Sequence, residues 1–244
     1  MSNKKTYKNK NVMGYVLAVI ASVSFIIAAI VISVEINISN NDAFMKEYEL
    51  CGVADTLGME MEDIEYVSQE MMKYLYGQKE ELVVYTKMWG QERDFFNQRE
   101  RDHMVDVKNL LNNALTVRTI CLVICFVALV ALLLYKRRSS PRILSIGYMF
   151  SVLGVALSFG AVYLFILANG FTEFWNRFHG VFFTNDLWLL DPGTDMMIRL
   201  LPEQFFSDLV INCVCSFVII VGVLLVLAFI IMHSAKYVDN RLQK

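Results

Sequence analysis

The chain has 244 residues, of which 56% are hydrophobic and 19% are charged, and its formal net charge is −2 at pH 7. Soluble domains average about 45–50% apolar and about 25% charged residues, so an ordinary soluble domain is a poor fit. Disorder requires low hydrophobicity and nucleic-acid binding requires a basic patch, and this composition argues against both. We therefore expect no nucleic acid among the partners of this chain.

The apolar residues are concentrated in four segments without a charged side chain, at residues 12–34, 119–135, 143–169 and 209–235. A helix needs about 20 apolar residues to cross a hydrocarbon core of about 30 Å. The second segment is the shortest, but apolar residues from Leu115 onward extend it. The sequence therefore predicts transmembrane helices at 12–34, 115–135, 143–169 and 209–235, and the first is too long to be a signal-peptide core.

The segments between these helices differ in charge. Residues 1–11, 136–142 and 236–244 together contain eleven basic residues and one acidic residue, whereas residues 35–114 and 170–208 together contain ten basic and 23 acidic residues. Because basic residues favour the cytoplasmic side, the first three segments are predicted to be cytoplasmic. The other two are then a large extracytoplasmic domain and a second outer loop.

Residues 35–114 are too many for an unstructured connector, and their pattern is mainly helical. Apolar residues at helical spacing predict helices at 42–50 and 61–76, and Gly77 is a natural stop for the second. No motif stands out before residue 82, and the role of that part stays open.

The second half of this outer domain contains one ambiguous segment. Residues 82–89 are compatible with either a short strand or an extended link, and from about Gln91 the pattern is helical and continues into the second span. The expected fold class is an all-α polytopic membrane protein with four transmembrane helices. A mainly helical extracytoplasmic domain and an aromatic-rich second outer loop at 170–208 complete it.

The second outer loop has an unusual composition. Nine phenylalanines and tryptophans lie between Phe171 and Phe206. Tryptophan favours the headgroup level of a bilayer, so this density predicts a loop at the outer leaflet with membrane lipid as a partner. An ordinary aromatic belt accounts for part of this density, but not for the histidine and the carboxylates within it.

Two histidines lie in the outer segments. His103 has Glu100 and Asp106 three residues before and after it, so on a helix a carboxylate can reach its ring and fix the tautomer. His179 precedes Gly180, which permits an unusual turn. Spacing alone supports a structural role for each histidine as well as it supports a shared catalytic site.

The residues around these histidines form a pattern that is similar to a known family. The pattern consists of Glu100-x-x-His103-x-x-Asp106-Val107-Lys108, Phe178-His179-x-x-Phe182-Phe183, Trp188, Asp191-Pro192, Ile198 and Leu200-Leu201-Pro202-Glu203-x-Phe205-Phe206. It resembles the bacterial lipoprotein intramolecular transacylase family (Lit). The length and the four-helix layout also agree with that family.

The resemblance implies a defined reaction in the bacterial cell membrane. Such enzymes are acyltransferases that act on the diacylated amino terminus of a lipoprotein, whose cysteine carries a thioether-linked diacylglyceryl group. They move the sn-2 acyl chain to the α-amino group of that cysteine and leave a lyso-form lipoprotein. We expect no cofactor. Because the ester and the amine belong to one molecule, no acyl-enzyme nucleophile is required. Both histidines lie in the segments that the charge pattern places outside, so the active site is expected on the extracytoplasmic side.

The chemistry of this reaction leads to a hypothesis for the roles of individual residues. His103 and His179 divide the acid, base and oxyanion work, with either Asp106 or Glu100 orienting His103, and which histidine does which is left open. The expected substrate-binding residues are Arg101, Phe178, Phe182, Phe183 and Trp188.

Two other functional classes remain open for this sequence. A membrane-embedded metal-dependent hydrolase could use His103 and His179 with Asp106 or Glu100 as ligands, although there is no H-E-x-x-H motif and we expect no metal. A non-catalytic membrane sensor or partner protein could use the acidic outer domain as a docking surface.

Overall fold

A computed structural model describes residues 2–135 and 140–242. The cytoplasmic link predicted at 136–142 and the ends of the two tails lie partly outside these residues. The elements in chain order are α1 (Ser2–Ile38), α2 (Asn41–Leu50), α3 (Val53–Leu57), α4 (Met61–Leu75), β1 (Tyr85–Met88), β2 (Gln91–Asp94), α5 (Gln98–Tyr135), α6 (Ser140–Asn169), α7 (Phe171–Phe182), α8 (Met197–Leu200) and α9 (Glu203–Leu242).

Four of these helices, α1, α5, α6 and α9, contain stretches that are long and apolar enough to cross a membrane. The prediction of a four-span, mainly helical membrane protein is therefore confirmed. The chain divides into two compact units. We call residues 1–33, 116–164 and 214–244 the apolar unit, and residues 34–115 and 165–213 the histidine unit.

Small residues allow the helices of the apolar unit to approach one another closely. A Cβ atom added to Gly147 on α6 would lie 2.9 Å from the Cβ of Ala18 on α1, so only glycine fits at this crossing. Close approach through small residues is a common way for helices to associate in lipid, where tight packing replaces the hydrophobic effect. Large apolar side chains on the outside of this unit remain exposed, among them Phe126, Leu134 and Ile219.

Helix α4 supplies much of the core of the histidine unit. It begins and ends within one residue of the predicted helix and is followed by Gly77, and the predicted face is buried at Ile64, Val67, Met71, Tyr74 and Leu75. Helix α2 also lies where it was predicted. The two helices meet at a buried hydrogen bond of 3.1 Å between the hydroxyls of Tyr48 and Ser68.

The prediction that the chain is helical from Gln91 is wrong for the first residues of that segment. Strands β1 and β2 form an antiparallel hairpin in which Met88 pairs with Gln91. The two residues between them, Trp89 and Gly90, have φ angles of 49° and 77°, and two positive φ angles define the tight turn that matches strand twist. The residues of β2 are all polar and form no apolar helical face, so the preceding turn determines that they form a strand.

The second outer loop contains a helix that its sequence did not predict. Helix α7 contains most of the phenylalanines and tryptophans of this loop. Gly180 lies inside the helix and does not adopt a left-handed backbone conformation, so the expected turn beside His179 is absent. Glu173 and Arg177 form an ion pair of 2.7 Å one helical turn apart on α7. Irregular chain follows from residue 183 to residue 196 and leads into α8.

Candidate active site

A capping box fixes the amino-terminal end of α5. The backbone N–H of Glu100 donates to the Oδ1 of Asn97 over 3.0 Å, and the backbone N–H of Asn97 donates to the Oε2 of Glu100 over 2.7 Å. These reciprocal bonds satisfy two donors that a helix start otherwise leaves open. Because His103 lies one turn further along α5, the cap also fixes the start of the helix that carries it.

Two buried carboxylates join this helix start to the chain around α8. The Oε1 of Glu100 accepts a hydrogen bond of 2.5 Å from the backbone N–H of Met197, and Glu100 is completely buried. Asp195, which is also buried, accepts hydrogen bonds of 2.7 Å from the side chain of Asn97 and from the backbone N–H of Asp191. Burial raises the pKa of Glu100, while its backbone hydrogen bonds act in the opposite direction.

His103 on α5 and His179 on α7 lie side by side. Their ring centroids are 6.2 Å apart, and the two residues are only 6% and 7% exposed. Phe183, the first residue after α7, contacts both rings, with centroid distances of 5.3 Å to His103 and 5.6 Å to His179. The site is thus a pair of buried imidazoles in an aromatic environment.

A backbone hydrogen bond fixes the tautomer of His179. Its Nδ1 lies 2.8 Å from the carbonyl oxygen of Trp175, one turn earlier on α7. Since a carbonyl only accepts, Nδ1 carries the hydrogen, and in the neutral ring Nε2 carries the lone pair. The ring of Trp188 stacks on His179 at 4.8 Å and that of Trp175 meets its edge at 4.7 Å.

His103 differs from His179 in its hydrogen bonding. Its Nδ1 is buried and has no hydrogen-bond partner among the residues that the structure describes. A buried polar atom without a partner is rare in a native protein, and a catalytic role is one of the reasons for which such an atom occurs.

Burial also sets the protonation of the two histidines. It lowers the pKa of both, and that of His103 falls to about 4, with the neighbouring His179 and Arg99 adding to the effect and Asp106 opposing it. Both rings are therefore neutral at physiological pH. A charge on one disfavours a charge on the other, so the pair accepts one proton more readily than two.

Polar contacts hold the irregular segment 183–196 against α5 beside the histidines. The side-chain amide of Asn185 donates to the Oδ2 of Asp106 over 2.8 Å. The guanidinium of Arg99 donates to the carbonyl of Asp186 and lies 3.7 Å from its carboxylate. The segment that carries Trp188 is thus joined to the helix that carries His103.

The family profile described as lipoprotein intramolecular transacylase Lit matches residues 19–206, which include both histidines. The chain belongs to this Lit family. It is therefore an acyltransferase and a multi-pass protein of the bacterial membrane. None of the curated proteins compared with this sequence matches it.

Solved structures of the membrane integral lipoprotein intramolecular transacylase Lit from Bacillus cereus share the fold of this Lit family member. One covers 95% of this chain and 98% of its own chain with a TM-score of 0.67. Two others carry arginine or alanine in place of one histidine, with TM-scores of 0.68 and 0.69 and coverages of 100% and 98% of this chain and 100% of their own. Each is 20% identical to this chain, so the similarity is one of fold.

The structure brings the aromatic residues predicted for substrate binding together around His179. Phe183 and Trp188 contact its ring directly, and Phe178 meets its edge at a centroid distance of 5.6 Å. Phe182 is half exposed and lies 4.8 Å from the ring of Phe178. The cluster therefore extends from the buried histidine to the surface.

The charged residues predicted for this site of the Lit family member have other partners. Arg101 donates to the carbonyl of Leu82 and to the carboxylate of Asp94, which links α5 to the hairpin. Both carboxylate oxygens of Glu100 accept backbone N–H groups, so they do not orient His103. Asp106 affects the pKa of His103, but its hydrogen bond goes to Asn185.

Several residues of the site were not predicted from the sequence. The spacing Asn97-x-x-Glu100 is a readable capping-box signal that accounts for the helix start. Asn185 and Asp195 have no such local signal, because their partners lie 79 and 98 residues away. In the described part of the chain, no group of three or more His, Cys, Asp or Glu side chains is arranged to hold a metal ion.

We expect acid to destabilise this Lit family member through His103. Its pKa is about 4 in the folded protein against an ordinary value of 6.5. The unfolded chain therefore binds more protons in this window, and stability is lost as the pH falls from about 6.5 towards 4, by at most about 3 kcal/mol. Unfolding in detergent at pH 7.5 and pH 5.0 measures this loss, and His103→Gln should reduce it. An identical loss in the variant contradicts the prediction.

Proposed function

We propose that this Lit family member moves the sn-2 acyl chain of an S-diacylglyceryl cysteine at a lipoprotein amino terminus to the α-amino group of the same cysteine. The observation that carries the proposal is the pair of buried, neutral imidazoles 6.2 Å apart in an aromatic cluster. Conversion of an ester into an amide needs an amine without its proton, a donor for the oxyanion and a proton for the departing glycerol oxygen. Two imidazoles supply these functions without a cofactor.

The geometry of the substrate supplies part of the rate. The α-nitrogen, Cα, Cβ, the thioether sulfur, two glycerol carbons, the ester oxygen and the carbonyl carbon form an eight-membered ring in the transition state. Holding two reacting groups in a productive geometry can be worth roughly 7–11 kcal/mol. An enzyme that folds this substrate into the ring does not need an acyl-enzyme intermediate.

The two histidines differ in ways that suggest separate roles. In His179, the hydrogen on Nδ1 is held by the carbonyl of Trp175, which leaves Nε2 as the basic atom and stabilises the ring when it is protonated. We therefore assign His179 as the general base that accepts the proton of the attacking α-amine.

His103 suits a role as a neutral donor. With a pKa of about 4 it does not take up a proton at neutral pH, and a neutral imidazole can still donate an N–H hydrogen bond to an oxyanion. Its buried Nδ1 has no hydrogen-bond partner among the described residues, and a functional role of the ring is one explanation for such an atom. The proton taken by His179 then passes to the glycerol oxygen as the carbon–oxygen ester bond breaks.

The aromatic cluster supports a lipid substrate. Phe178 and Phe182 lead from His179 to the surface, where Val181 is also exposed. These side chains suit contact with acyl chains. We propose that the site faces the extracytoplasmic side, because the segments that carry both histidines are acidic whereas the tails and the 136–142 link are basic.

The proposal can be tested with a synthetic lipopeptide whose amino-terminal cysteine carries a diacylglyceryl group with an isotope label in the sn-2 chain. Purified protein in lipid vesicles should convert it to an N-acyl, lyso-form product that retains the label, as measured by tandem mass spectrometry. In a mixture with an unlabelled peptide of different sequence, the label should stay on its own peptide. Transfer between peptides, or release of free fatty acid alone, contradicts an intramolecular transfer.

The same assay separates the two alternative functions. A metal-dependent hydrolase releases fatty acid and loses activity with a chelator, whereas the proposed reaction should be unaffected by the chelator. A sensor or docking protein produces no modified peptide.

A further inference from the structure

We propose that Asp106 is the binding residue for the positively charged α-ammonium group of the lipoprotein substrate, in an aromatic site completed by Trp188 and Phe183. The inference rests on the proposed function and names a contact at the same site. It gives Asp106 a different role from orienting His103, because its hydrogen bond goes to Asn185.

The substrate itself requires such a partner. An α-amino group has an ordinary pKa of about 7.7–8.0, so it arrives mostly as a cation at neutral pH, while the thioether, the glycerol and the esters are neutral. Moving a cation into an apolar, buried site is costly unless a carboxylate pairs with it. The surroundings of the histidine pair are apolar and aromatic, so a carboxylate is needed close to them.

The other carboxylates near the start of α5 are already engaged. Both oxygens of Glu100 and both oxygens of Asp195 accept hydrogen bonds inside the protein, and both residues are buried. Asp186 pairs with Arg99, and its side chain is 78% exposed. Asp102 is exposed and accepts a hydrogen bond from Gln98.

Asp106 is the carboxylate with capacity left for a cation. It is half buried, its Oδ2 accepts one hydrogen bond from a neutral amide, and it takes part in none of the ion pairs found among the described residues. It lies one helical turn from His103, close enough to raise the pKa of that histidine against the effect of burial. An ammonium group at Asp106 is therefore next to the histidine pair. It releases one proton to solvent on becoming the neutral amine, and the second proton, which the nitrogen loses on attack, passes through His179 to the glycerol oxygen.

The aromatic rings provide a second feature of a cation site. Trp188 stacks on His179 and Phe183 contacts both histidines, and Trp188 lies three residues after Asn185, the partner of Asp106. Aromatic faces attract ammonium groups within about 6 Å, most strongly for tryptophan. Asn185 connects the ring of Trp188 to the carboxylate, because the indole N–H of Trp188 donates to its carbonyl over 3.0 Å and its side-chain amide donates to Asp106. This combination is suited to recognise an amine rather than an amide.

The test uses two substrate analogues whose acyl chains are joined by ether bonds, so that neither can transfer a chain. One has a free amino terminus and the other is N-acetylated. Binding to purified protein is measured at pH 7.0 for the wild type and for Asp106→Asn. The wild type should bind the free-amine analogue about 10- to 100-fold more tightly than the acetylated one, as expected for a hydrogen-bonded charge pair.

In Asp106→Asn the ratio of the affinities for the free-amine and the acetylated analogues should fall to near one. The affinity for the acetylated analogue should stay at the wild-type value, which shows that the site is intact. Asp106→Glu should keep the preference for the amine. The matched control is Asp102→Asn on the same helix, which should also keep it. Asn185→Ala removes the amide partner but leaves the carboxylate, and it should retain the preference. If this variant loses the preference while its affinity for the acetylated analogue stays at the wild-type value, Asp106 has a structural role and the proposal is overturned.

The outcomes for this contact and for the proposed function are separable. His179→Ala should transfer no chain from the ester substrate but should keep the preference for the free-amine analogue. If the wild type transfers no chain and still prefers the amine in an Asp106-dependent way, the proposed function fails and the binding role stands. If transfer occurs and Asp106→Asn keeps the preference, the binding role is overturned and the function stands.

Discussion

Replacing His179 with glutamine should reduce N-acylation of the labelled lipopeptide by about 10²- to 10⁴-fold, the usual contribution of a general base. Glutamine keeps a side-chain N–H that can donate to the carbonyl of Trp175 but has no basic atom in place of Nε2. Substrate binding and the unfolding midpoint should change little in comparison. The measurement is the initial rate of N-acyl product formation by mass spectrometry under saturating substrate.

His233 offers a matched control for this substitution. It is exposed on α9, in the apolar unit, and His233→Gln should retain the wild-type rate. His103→Leu, which removes the N–H donor to the oxyanion, should also be slow. Its rate should still fall as the pH falls, because the base His179 is unchanged and must be neutral to act. A His179→Gln variant that retains more than about a tenth of the wild-type rate contradicts the assignment of His179 as the base.

The membrane architecture could be predicted from the sequence because its signals are local. Four charge-free apolar segments and the asymmetry of charge between them follow directly from the physics of the bilayer. Helix α4 could be predicted for a similar reason, since one apolar face at helical spacing is buried against the core. In each case a single segment contains the whole pattern.

The β-hairpin and helix α7 could not be predicted in this way. In each of them a short local feature, a two-residue turn or an aromatic composition, competes with the apolar periodicity of the segment. Gln91–Asp94 is entirely polar, and what decides its structure is the two-residue turn at Trp89 and Gly90. The aromatic residues of α7 favour membrane interfaces. Their density was therefore interpreted as a loop at the outer leaflet, although their spacing is also compatible with a helix. The helix places Trp175 one turn before His179, which determines the tautomer of that histidine.

The proximity of His103 and His179 was an expectation from pattern and resemblance, whereas their environment required the structure. The groups that hold segment 183–196 in place, such as Asn185 and Asp195, contact residues 79 and 98 positions away. No local pattern encodes such a contact. The same long-range packing gives Glu100 a set of partners that its position three residues before His103 does not suggest.

Those partners lead to the largest stability effect that we expect. Glu100→Ala should lower the free energy of unfolding by about 2–4 kcal/mol, because it removes two hydrogen bonds to a buried carboxyl group and leaves the N–H of Met197 without an acceptor. The free energy of unfolding of Glu100→Gln should lie between those of Glu100→Ala and the wild type. Its amide keeps one acceptor oxygen but presents an NH₂ group to the other backbone donor. Chemical unfolding in detergent measures both losses.

The effect on activity distinguishes a positioning residue from a catalytic one. Glu100 joins the start of α5, which carries His103, to the residue that begins α8, so its loss should loosen the site together with the fold. The exposed Asp102, two residues further along the same helix, is the matched control, and Asp102→Ala should change stability by less than about 0.5 kcal/mol. If Glu100→Gln abolished transfer while its unfolding free energy matched the wild type, Glu100 would act in the chemistry itself. We expect instead that the transfer rate of a Glu100 variant falls only where its free energy of unfolding also falls.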